Sequence, residues 1–138
     1  MNDRKQTGRI GLVEAISYYT ENGYTVSIPL TDTQWYDIII EKDGNILTVQ
    51  CKATETKENS IDFRSTGGTK GVPYDNILEH SKLDMLFCVD SERNCYSIPV
   101  NVLRKYKNKN SICLRKERKN TENKGCFPSY KFLVKLGR

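Results

Sequence analysis

The sequence predicts a mixed α/β (α+β) fold, one central β-sheet flanked by helices, and three observations carry that expectation. Near the N-terminus Ile10, Val13 and Ile16 recur at helical spacing, with Leu12 and Tyr19 on a neighbouring face. Two stretches of strand character, 35–41 and 46–53, are joined by Asp43-Gly44, a strong signal for a tight hairpin turn. The apolar run 85–89 reads as a buried central strand. A helix followed by hairpin-paired strands and mixed elements is the pattern of layers around one sheet.

Taken in order, Thr7 is the expected N-cap of the first helix, and Gly23 is placed to end it in a left-handed conformation. Residues 24–29 alternate Tyr24, Val26 and Ile28 with polar positions, as a strand does. The Ile38-Ile39-Ile40 run predicts a strand buried on both faces, antiparallel to 46–53, which brings Asp37 near the 50–52 segment. Residues 61–64 form a short candidate strand. The glycines between 66 and 71 require a loop, and 74–81 fits a short turn or helix. Residues 95–98 are the expected hairpin partner of 85–89. Pro99 then opens a short helix through Leu103, and 130–136 adds a last strand. The stretch 104–124 is basic and poor in apolar residues.

Composition narrows the function. The 138 residues fit one domain, 1–138, with a basic C-terminal segment at about 104–138. No apolar run approaches the length of a membrane span, and no apolar stretch follows the first residues, so neither a span nor a secretory signal is expected. Five cysteines, an odd number with no C-x-x-C pair, argue against a disulfide framework or a zinc site and for reduced thiols in a cytoplasmic protein. The net charge of +5 hides an asymmetry: residues 1–100 hold 10 Lys/Arg against 15 Asp/Glu, whereas 101–138 hold 12 against 2. A polyanionic partner at the C-terminal end fits that distribution, and so does a merely solvated basic surface.

Four polar residues stand where apolar ones are expected. Asp37 opens the isoleucine run; Gln50 and Lys52 flank Cys51 on one face of the next strand; Glu14 lies among apolar helix positions. Such groups cost desolvation energy unless they are paired or hold a metal. Phosphodiester hydrolysis needs an activated water, a hard cation and a positive group, and Mg²⁺ accepts one or two carboxylates plus other oxygens and water. On that chemistry Asp37 is the main carboxylate, with Glu14 bound directly or through water. Gln50 and the backbone carbonyl of Cys51 supply neutral oxygens, and Lys52 orients the water and stabilises developing charge. A cross-strand Asp37–Lys52 ion pair, with Gln50 a sheet-edge amide, accounts for the same residue types equally well.

The ordered set Gly8-x-x-Gly11-x-x-Glu14-Ala15, Gly23-Tyr24-x-Val26-x-x-Pro29, Tyr36-Asp37 and Val49-Gln50-x-Lys52 resembles the PD-(D/E)XK nuclease superfamily. The resemblance is closest to its group I intron-encoded homing endonucleases and more distant to archaeal Holliday junction resolvases. It continues through the 85–89 strand, Asp90 and Cys95-Tyr96-Ser97-Ile98-Pro99, covering residues 8–103. It implies a restriction-endonuclease-like core and a Mg²⁺-dependent, Mn²⁺-tolerant double-strand DNA endonuclease. It also implies Glu14 as the helix carboxylate, Asp37 as the metal-binding aspartate, Gln50 at the (D/E) position and Lys52 as the catalytic lysine. Tyr36 replaces the motif proline, and Gln50 removes one negative charge from the metal site. A junction resolvase and a catalytically silent DNA-binding module of the same fold are the rival readings, and a small RNA-binding protein a weaker one.

The expected phosphate contacts are Arg64, Lys70, Arg104, Lys105, Lys107, Lys109, Arg115, Lys116, Arg118 and Lys119, with the 67–71 glycine loop approaching the duplex through backbone amides. His80 reads as a surface residue, and Trp35 and Tyr36 as packing against the first helix. One site per chain cuts one strand, so a double-strand break requires a homodimer or homotetramer.

Overall fold

The computed structural model of the chain describes residues 3–31, 34–64, 76–118 and 126–136. Its first element, α1 (Asp3–Glu21), begins one turn before Thr7 because Lys5 and Gln6 are good helix formers, so Thr7 lies inside the helix and does not cap it. The chain leaves α1 through Gly23, whose φ of +83° is the left-handed conformation expected there. Strands β1 (Thr25–Ser27), β2 (Ile38–Lys42) and β3 (Asn45–Ala53) follow. The β2–β3 turn is Asp43-Gly44 with φ of 52° and 81°, the doubly positive geometry that Asp-Gly supplies to a two-residue hairpin.

Strand β4 (Ser60–Asp62), a 3-10 turn at Ile77–Glu79, β5 (Met85–Val89) and β6 (Cys95–Pro99) come next, then α2 (Val100–Arg104) with Pro99 at its N-cap. Last are β7 (Ser111–Cys113), a 3-10 turn at Ser129–Phe132 and β8 (Leu133–Val134). The anticipated strand over 130–136 is therefore mostly helical turn. β7 lies inside the basic stretch and escaped notice because only Ile112 of its three residues is apolar and buried.

One mixed sheet of six strands runs β1-β2-β3-β5-β6-β8, and β4 pairs with β7 in a separate ribbon. All neighbours are antiparallel except β3 and β5. A parallel pair needs a long crossover. Here the crossover includes β4 and the Ile77–Glu79 turn, which pack on the sheet face away from α1.

Strand alternation divides the core in two. Ile38, Ile40, Val49, Cys51, Phe87, Val89 and Cys95 point at Ala15 and Tyr19 of α1. Leu86, Cys88, Tyr96 and Ile98 point the other way, onto Ile61, Phe63, Ile77, Leu103 and Ile112. Ile39, between Ile38 and Ile40, is half-buried, so the isoleucine strand is sealed fully on the helix side alone. The expectation that Trp35 and Tyr36 pack on α1 is corrected. The helix-facing positions belong to Ile38 and Ile40, Tyr36 joins the opposite core, and Trp35 stacks on a half-buried His80.

α1 docks on β3 at Gly11. A Cβ there would stand 3.3 Å from the Lys52 carbonyl carbon and 3.4 Å from Ala53 Cβ. The first of these atoms is backbone inside a ladder and cannot yield. Gly11→Val is therefore expected to lower unfolding free energy by about 1–3 kcal/mol, read by urea denaturation; unchanged stability would show that α1 does not sit this close.

Candidate active site

Asp37 lies in the bend just before β2, and its N–H donates at 2.8 Å to the carbonyl of Val49, the residue that Ile38 also faces. One Asp37 carboxylate oxygen, Oδ2, accepts the Cys51 N–H at 2.8 Å. The aspartate at the head of β2 is thus fixed by the peptide between Gln50 and Cys51, a charge-assisted bond that sets the carboxylate's orientation. Because Val49 and Cys51 face α1, Gln50 and Lys52 face the opposite side, and Asp37 is held beside β3 by the Cys51 N–H. All three are half-buried.

Lys52 is opposite Cys88 in β5. Burial raises the Cys88 thiol pKa, and the Lys52 ammonium partly offsets that rise. Burial also holds the Cys51 thiol well above its usual range, with the Asp37 charge adding to it. Neither thiol is available as a nucleophile. Asp62, which belongs to no sequence motif, is held below the usual carboxylate range. Arg64 donates to it from Nε at 3.1 Å and Nη2 at 2.9 Å, and the Lys52 charge contributes.

Glu14 lies on the helix side of the sheet. It lies one helical turn beyond Gly11, which packs on Lys52 and Ala53, and it is 7% exposed. With Arg93, Cys95, Val134 and Lys135 it lines an open cavity of about 670 Å³. The structure therefore brings the Asp37 carboxylate to the Cys51 N–H, between Gln50 and Lys52, whereas it places Glu14 on the helix side beside the β5–β6 turn and β8. Arg93 was invisible as a neighbour, because its place depends on a φ of 68° in the β5–β6 turn. That turn is wound around Asp90, whose buried Oδ1 accepts the N–H groups of Glu92 and Asn94 at 2.9 and 2.8 Å.

Among the described residues no three His, Cys, Asp or Glu side chains cluster as a metal cage. The donors on the Asp37 face are one carboxylate and one amide beside the Cys51 peptide, all oxygen donors. Such a sparse set suits Mg²⁺, which keeps several waters and takes few protein ligands, and suits a thiophilic metal poorly.

The candidate phosphate contacts have different surroundings. Arg64 is engaged by Asp62, and Lys116 is ion-paired with Glu92. Arg104 is committed to the fold: Nε donates to the Leu78 carbonyl at 2.8 Å and Nη2 to that of His80 at 2.7 Å, while Nη1 donates to Asn101 at 2.8 Å. Lys105, Lys107, Lys109 and Arg118 are exposed and Arg115 is half-buried. Lys70, Lys119 and the 67–71 glycine loop lie outside the described residues.

A family model described as PD-(D/E)XK endonuclease matches residues 2–133. The chain belongs to that family. Among solved structures, that of a bacterial homing endonuclease, I-Ssp6803I, superimposes with a TM-score of 0.76 at 22% identity, covering 96% of this chain and 89% of that one. No curated protein sequence matches. No described helix of this PD-(D/E)XK protein is long and apolar enough to cross a membrane.

The thiols report whether this packing holds. Cys51, Cys88 and Cys95 are buried, Cys126 is half-buried and Cys113 exposed. A chromogenic disulfide reagent should label Cys113 and Cys126 in the native protein and the other three only after denaturation. Rapid labelling of Cys51 would mean that α1 is not docked on β3.

Proposed function

We propose that this nuclease is a Mg²⁺-dependent, sequence-specific endonuclease that cuts double-stranded DNA, of the homing type, and that it acts as a homodimer or homotetramer. The observation carrying the reading is the Asp37 carboxylate locked to the Cys51 N–H, with Gln50 and Lys52 on the same face of the adjacent strand. In this reading Asp37 and the Gln50 amide oxygen hold the cation, with the Cys51 carbonyl, and Glu14 acts from the helix side through water. The bound cation supplies Lewis acidity and charge neutralisation at the phosphate. Lys52 orients the attacking water by hydrogen bonding and places its ammonium beside the oxygen on which negative charge develops. Asp37, held by a peptide N–H, keeps its geometry without reorganising during the reaction.

Duplex affinity then rests on the exposed Lys105, Lys107, Lys109 and Arg118, with Arg115, Lys70 and Lys119 alongside; binding weakens steeply with salt as these contacts release counterions. Arg104 is assigned to the fold because its donors serve internal carbonyls, and Arg64 and Lys116 act through acidic partners. One centre cuts one strand, so two copies are needed for a double-strand break. A second reading, a silent DNA-binding module, is favoured by Gln50 alone, which leaves the centre one carboxylate short.

The experiment is incubation of plasmid and genomic DNA with the protein and Mg²⁺, followed by mapping of break ends. A few defined ends, abolished by chelation of the metal, are the expected result; intact DNA with Mg²⁺ and with Mn²⁺ would establish the silent module, and random nicks would refute site specificity. Asp37→Ala and Lys52→Ala should each lower the cleavage rate by about 10²–10³-fold or more while DNA affinity changes little. Cleavage surviving both changes would refute the site assignment.

A further inference from the structure

Near the Asp37 face stands an aromatic arrangement that hydrolysis itself does not use. Trp35 stacks on His80 with ring centroids 3.5 Å apart and planes inclined by 20°. Trp35 is nevertheless 40% exposed. The pair lines an open cavity of about 400 Å³ with Gln34, Tyr36, Ser81 and Lys82. A packing role would hide the indole; here it is presented.

The platform is firmly held. His80 donates its N–H to the Ile77 carbonyl at 3.2 Å, and its own carbonyl accepts Arg104 Nη2 at 2.7 Å. The loop that follows is tied to β3, where the Thr48 hydroxyl donates to the Lys82 carbonyl and the Thr48 N–H to Asp84 at 2.9 Å. Tyr36 anchors the other side in the core. Trp35 lies two residues before Asp37, so their Cα atoms are within about 7 Å of each other.

We propose that the Trp35–His80 pair is a stacking platform for an unstacked nucleobase of the DNA strand that passes the Asp37 face. Every base has a π-face, so an exposed indole already stacked on one side extends the column by one ring without regard to sequence. Lys82, exposed at the rim, meets the backbone phosphate of that nucleotide, and Gln34 and Ser81 offer hydrogen bonds to its base edge. The identity of the strand rests on the nuclease reading above, while the stacking itself does not.

Trp35 is the only tryptophan of the chain, so indole emission reports this site alone. With the metal chelated, single-stranded oligo(dT) should quench that emission saturably. The anisotropy of fluorescein-labelled oligo(dT) should show affinity reduced about fivefold or more in Trp35→Ala and His80→Ala, and largely retained in Trp35→Phe, each variant being checked for native circular dichroism. Anisotropy showing binding with unaltered emission, wild-type affinity in Trp35→Ala, or no oligo(dT) binding at all would overturn the platform. Quenching accompanied by intact plasmid and genomic DNA in both Mg²⁺ and Mn²⁺ would leave the platform standing and refute the nuclease reading instead.

Discussion

The candidate site depends on one hydrogen bond and the register that permits it. The Asp43-Gly44 turn fixes which residue of β2 faces which of β3, and from it follows the placement of Asp37 beside Val49 with its carboxylate on the Cys51 N–H. A slip of one residue would turn every side chain of the strand to the other face, moving Ile38 out of the core and taking Asp37 away from the Cys51 N–H. Ile38 and Ile40 are fully buried against α1, so the hydrophobic cost of that slip protects the polar arrangement. The chemistry-bearing residues hold their places through the apolar residues that alternate with them.

The same alternation explains how a charged site coexists with a tightly packed sheet. Cys51 and Phe87 seal the helix side, Cys88 and Leu86 the other, and Gln50 and Lys52 sit near the end of β3 before Thr54 turns away. Gly11 lets the helix approach β3 closely, and Glu14, one turn on, lines the cavity beside the β5–β6 turn. The second layer, built from the β4–β7 ribbon and the turn before His80, borders the Asp37 face with Asp62 on one element and His80 on the other.

Much of this was legible in the sequence, for physical reasons. The Asp-Gly turn needs two positive φ angles that few other pairs accept, and polar residues inside apolar strands stand out because burial is costly. Those two signals place β2, β3, Asp37, Gln50 and Lys52. Long-range packing was not legible. β7 has one buried apolar residue and exists because β4 needs a partner; the fold-bearing role of Arg104 depends on carbonyls twenty or more residues away; Trp35 was assigned to the wrong face because nothing local says where a strand begins to alternate. Asp62 and Arg93 come near the site through turns and ribbon pairing that leave no periodic trace.

The central claim, that Asp37 and Gln50 share one divalent cation beside Lys52, is tested most directly by an anomalous difference map at the manganese edge from crystals of the protein soaked in Mn²⁺ with a duplex bound. The account predicts a peak at about 2.0–2.2 Å from an Asp37 carboxylate oxygen and close to the Gln50 amide. A peak coordinated elsewhere, or a fully occupied duplex with no peak at Asp37, would contradict it.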